Sequence, residues 1–72
     1  MEIYVNGGKV MVKIPRWSQQ VKKIRVYDQF GILQFVLYPQ HLGKIIELPR
    51  NQEYRFVTMI GGHMVQKTIE VP

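Results

Sequence analysis

Cysteine and alanine are both absent from this chain. Without cysteine there are no disulfide staples and no thiolate metal sites. The 72 residues must therefore hold by packing alone, with oligomerisation as the common aid at this size. Alanine is the strongest helix former. Its absence, and the lack of any window with apolar residues at the 3, 4, 7 spacing over three turns, leave helices unexpected. Acidic residues are scarce, five against ten lysines and arginines, which gives a net charge of +5. No apolar run approaches the roughly 20 residues of a membrane helix. The opening Met1-Glu2-Ile3-Tyr4 has no basic stretch followed by an apolar core, so no signal peptide is expected within the chain.

What is present reads as strand. Apolar residues make up 46% of the chain, enough for a globular domain, and the length suits one domain, 1–72. A domain this small buries only about 60% of the surface its unfolded chain exposes, so the core is thin. Val, Ile, Tyr, Phe and Thr alternate with polar residues throughout. Strands are expected over 3–5, 9–14, 22–27, 32–38, 44–48, 54–60 and 63–71. Asn6-Gly7-Gly8 and Gly61-Gly62 mark hairpin turns, since Asn and Gly tolerate positive φ. Asp28-Gln29-Phe30-Gly31 reads as a tight turn in which Asp bonds the backbone ahead of it. Pro15, Pro39 and Pro49 stop strands, and 16–20 and 40–43 read as loops. The stretch 32–38 is apolar on both faces except Gln34, so it is expected to be central. Seven short antiparallel strands suit an immunoglobulin-like β-sandwich better than a small barrel.

The residues for catalysis are missing as constellations. Ser18 is the one serine, in a loop, and His41 and His63 sit in no recognisable motif. Nucleophilic catalysis needs nucleophile, base and orienting group together. Glu47, Glu53 and Glu70 read as scattered, solvated carboxylates. Two histidines 22 positions apart do not supply the three or four ligands of a metal site. The glycine pairs open strands, whereas a phosphate loop opens a helix. No enzyme activity, metal or cofactor is expected.

The basic residues are unevenly spread. Residues 1–36 hold Lys9, Lys13, Arg16, Lys22, Lys23 and Arg25 against Glu2 and Asp28. Lys13, Arg16, Lys22, Lys23 and Arg25 interleave with Trp17 and Tyr27. A basic groove with aromatic platforms binds single-stranded nucleic acid. The same residues also serve as a solvated face, with Trp17 capping a thin core and lysines guarding a sheet edge.

Three stretches carry a family resemblance. They are 23–31 (KIRVYDQFG), then Ile46-Glu47-Leu48-Pro49 with Tyr54-Arg55-Phe56-Val57, then Gly61-Gly62 with Lys67-Thr68-Ile69-Glu70-Val71. Together with the first hairpin, 3–10, they resemble the C-terminal sorting domain of proteins exported by the bacterial type IX (Por) secretion system. The resemblance implies a seven-stranded sandwich, recognised at the outer membrane and usually cleaved off after transit. The positions it carries over are Tyr27, Asp28, Gly31, Tyr54, Gly61, Gly62 and Lys67, with Lys67 and the last strand as recognition candidates. It also implies a secreted or cell-surface location as part of a larger exported protein. The sequence departs from the family in having Glu53, not Gly, just before Tyr54. Two other readings stay open. One is an Sm-like RNA-binding barrel. The other is an adhesive sandwich whose last strand pairs with a partner's edge, including that of a second copy.

Overall fold

A computed structural model describes residues 1–14 and 21–72. The expected loop 16–20, with Arg16, Trp17 and Ser18, lies outside the described residues. Seven strands follow in order among the described residues: β1 (Glu2–Asn6), β2 (Lys9–Lys13), β3 (Ile24–Asp28), β4 (Leu33–Leu37), β5 (Ile45–Glu47), β6 (Gln52–Ile60) and β7 (His63–Val71). One 3-10 turn, Pro39–His41, separates β4 from β5, with Pro39 at its first position. The strands form two antiparallel sheets, β1-β2-β5 and β4-β3-β6-β7, consistent with a small β-sandwich.

Alternation decides which side of each strand is dry. Val10 and Val12 of β2 face Ile24 and Val26 of β3 and Tyr54 and Phe56 of β6 within one cluster, completed by Ile14, Val21, Leu37, Leu48 and Val71. Burying such aliphatic and aromatic side chains is worth about 1.5–3 kcal/mol each, and it is the main force holding the sheets together. Thr58 continues the inner row of β6 and is buried as well. Its hydroxyl donates to the Lys23 carbonyl at 2.8 Å, so no polar atom is stranded and the segment before β3 is pinned to β6.

The hairpins follow from their glycines. Asn6 pairs with Lys9 around Gly7-Gly8, and Ile60 pairs with His63 around Gly61-Gly62. Gly61 and Gly62 take φ of 56° and 80°, the double positive pair of a type I′ turn.

Two expectations are corrected. The apolar stretch 32–38 is not central: β4 is an edge strand, and Ile32 and Leu33 are exposed. Its second apolar face arises because a bulge opposite Val26 and Tyr27 leaves Gln34 unpaired. Phe35 and Leu37 then turn inward while Leu33 and Val36 turn out, so the period of 2 is broken. Glu53 and Glu70 are also not scattered. They are direct cross-strand partners on β6 and β7, both exposed.

Candidate functional site: the outer face and edge of the four-stranded sheet

The carried-over residues other than Lys67 divide between the two ends of the four-stranded sheet. At one end, Asp28 closes β3. Its Oδ1 accepts the backbone N–H groups of Phe30 (2.8 Å) and Ile32 (3.0 Å), and its Oδ2 accepts the Gln34 amide at 2.8 Å. Those donors, Ile32 foremost, hold its carboxyl below the usual carboxylate value against an opposing desolvation. Gly31, at φ 79°, returns its N–H to the Asp28 carbonyl at 3.1 Å. Tyr54 stands opposite Asp28 and is buried. Its hydroxyl donates to the Pro49 carbonyl at 3.0 Å, and burial, with Asp28 second, pushes its phenol above the ordinary value. Tyr27 turns to the outer face, where the Arg55 guanidinium lies 5.4 Å from its ring centre.

A depression of about 170 Å³ at this end is lined by Asp28, Gly31, Glu53, Tyr54 and Arg55 among others. Both Asp28 carboxylate oxygens are hydrogen-bonded within the fold, Oδ1 in the turn and Oδ2 to Gln34 of β4. The left-handed position that leads into β6 is Asn51, at φ 61°, while Glu53 already lies within the strand. Asn tolerates that conformation. Glu53 before Tyr54 therefore costs the turn nothing.

The other end is different in kind. Lys22, Lys23, Arg25, Val57, Thr58, Met59, Gly61, Gly62 and Met64 line a groove of about 530 Å³. It joins three residues of the expected basic patch to the closing glycines of the β6–β7 hairpin. Met59 and Met64 are cross-strand partners, and both are exposed. No carboxylate is among the described residues lining the groove. Lys13 does not join it. That residue sits on β2 in the other sheet, its Nζ 5.8 Å from the Tyr4 ring centre. The sequence reading missed Met59, Met64, Val57 and Arg55. The signal for the methionine pair was there: residues five apart across a two-residue turn must be neighbours.

Lys67 belongs to neither end. It pairs with Phe56, which places it on the inner-facing row of an edge strand, where it stays exposed and donates to the Met1 carbonyl at 3.5 Å. The ladder phase follows from the two-residue turn. Ile60 and His63 exchange hydrogen bonds, so bonding to β6 recurs at His63, Val65, Lys67, Ile69 and Val71. Met64, Gln66, Thr68 and Glu70 then turn their backbone N–H and C=O away from the sheet. No helix among the described residues is long and apolar enough to cross a membrane. No protein-family model matches this chain, and neither a curated protein nor a solved structure matches it.

Proposed function

We propose that this chain is a non-catalytic recognition module of the type IX sorting kind, whose address is the β6–β7 hairpin and above all β7. One observation carries the reading: β7 is a nine-residue edge strand whose outward row of backbone donors and acceptors has no partner among the described residues. An extended partner segment adds to such an edge by main-chain hydrogen bonds. The immunoglobulin-like reading has support from two details. The strand order differs from a seven-stranded constant-type domain only in pairing β4 with β3 instead of β5. The Tyr54 hydroxyl, near the start of β6, bonds the backbone five residues upstream, the arrangement of a tyrosine corner.

Lys67 favours a protein of an export machinery over a second copy. Pairing of two β7 strands about Lys67 would set two ammonium groups face to face, and inward lysines are a common guard on edges. The location that goes with this reading is outside the cell, on a larger exported protein.

Thr68→Pro tests the reading without touching the sandwich. The Thr68 N–H points away from β6, so proline removes an edge donor that the fold does not use. In a bacterium with a type IX system, a reporter fused ahead of residues 1–72 should be exported. Export should fail for Thr68→Pro and for deletion of Gly61 to Pro72. Undiminished export of both variants rejects the reading.

A further inference from the structure

The groove at the hairpin end carries an inference that concerns the outer face of the sheet and stands whether or not β7 is a sorting element. Its two walls differ. One is cationic: Lys22, Lys23 and Arg25, all exposed. The other is apolar: Val57 with the exposed pair Met59 and Met64. The methionine pair is a non-hydrogen-bonded one, the kind in which side chains stand closest. Flexible thioethers on a surface adapt to aliphatic side chains of varied shape. The floor is fixed, because the Thr58 hydroxyl holds the Lys23 carbonyl and Ile24 beside it is fully buried.

We infer that this groove binds an acidic, extended peptide segment of a partner protein, with carboxylates on Lys22, Lys23 and Arg25 and alternate aliphatic side chains on Val57, Met59 and Met64. Two features select this occupant. Charge complementarity is one-sided, since the described lining offers three cations and no carboxylate. Spacing is the second. Lys23, just before β3, and Arg25 flank the buried Ile24 and both line the groove, their Cα atoms at most about 7 Å apart. Carboxylates on alternate residues of an extended peptide repeat at that same interval. A lipid headgroup presents its charge at one point and does not repeat it at that interval or offer alternate aliphatic side chains to the methionine wall. A nucleic-acid strand would call for aromatic platforms, and the described lining has none.

The test uses the isotopically labelled 72-residue chain and a short capped peptide alternating glutamate and leucine. Amide shifts should move at Lys22, Lys23, Arg25, Val57, Met59 and Met64. Affinity should fall at least tenfold when lysine replaces glutamate in the peptide, and by a similar factor when serine replaces leucine. Lys23→Glu with Arg25→Glu should abolish the shifts, and Lys23→Gln with Arg25→Gln should weaken binding tenfold while the spectrum stays that of the folded chain. Equal binding of the lysine peptide, shifts confined to other surfaces, no shifts at millimolar peptide, or tighter binding of a single-stranded oligonucleotide at the same amides would each overturn the inference.

Discussion

The two ends of the four-stranded sheet use the same strands for opposite purposes. At the Asp28 end each polar group that defines the turn is spent internally. The carboxylate takes three donors, and the Tyr54 hydroxyl and the Gly31 N–H are both used. At the hairpin end three cations and two methionines face solvent around a groove. A site whose hydrogen bonds are closed within the fold stabilises it. A site with unspent charge and exposed apolar surface has binding free energy still available. The comparison teaches that Asp28, Gly31 and Tyr54 are tied into the fold, while the exposed cations and methionines gather beside the β6–β7 hairpin, where the proposed recognition would fall.

The sharpest way to break the comparison is Tyr54→Ala. It empties a buried aromatic position and orphans the Pro49 carbonyl, and its expected cost is about 3–5 kcal/mol. A chain of this length has roughly 4–11 kcal/mol of total stability. Urea titration should therefore find this variant partly or wholly unfolded. Thr58→Val comes next. It removes the bond to the Lys23 carbonyl at nearly constant volume, for about 1–2 kcal/mol in the same titration, and it should shift the amides of Lys22 and Lys23. Asn51→Val forces a β-branched residue to φ 61° and should cost about 1–2 kcal/mol, while Asn51→Gly should be near neutral.

Acid unfolding sharpens the comparison without a large substitution. The folded chain holds the Asp28 proton less tightly than the unfolded chain, so the contribution of Asp28 is complete above its ordinary value of 3.8. It is lost as the pH falls through the lower folded value. Asp28→Asn should flatten that part of the stability curve. The smallest effect belongs to the groove: Lys23→Gln with Arg25→Gln should change stability by no more than about 0.5 kcal/mol, because both side chains are solvated. A larger loss would mean that the hairpin end is structural too.

Much of the strand plan is visible in the residues themselves. Alternation at Val10, Val12 and Ile14, and again at Tyr54, Phe56 and Thr58, marks the dry face because a strand has a period of 2. The glycine pairs mark the hairpins because few other residues accept their backbone angles. Edge and centre are not legible in this way. The apolar stretch 32–38 looked central because a bulge at Gln34 hides its alternation, and a bulge is defined only against a partner strand.

By itself, then, the sequence determined seven strands, their turns, the inward residues and the surplus of positive charge, all of which rest on local periodicity and backbone preference. Only the tertiary structure decided how that charge was shared out. It sent Lys13 to the other sheet, set Lys22, Lys23 and Arg25 beside Met59 and Met64, made Glu53 and Glu70 neighbours, and put β7 at the edge of its sheet. The physical reason is that pairing between strands distant in sequence, and the division of strands between two sheets, depend on which apolar faces close on one another. No single strand carries that information.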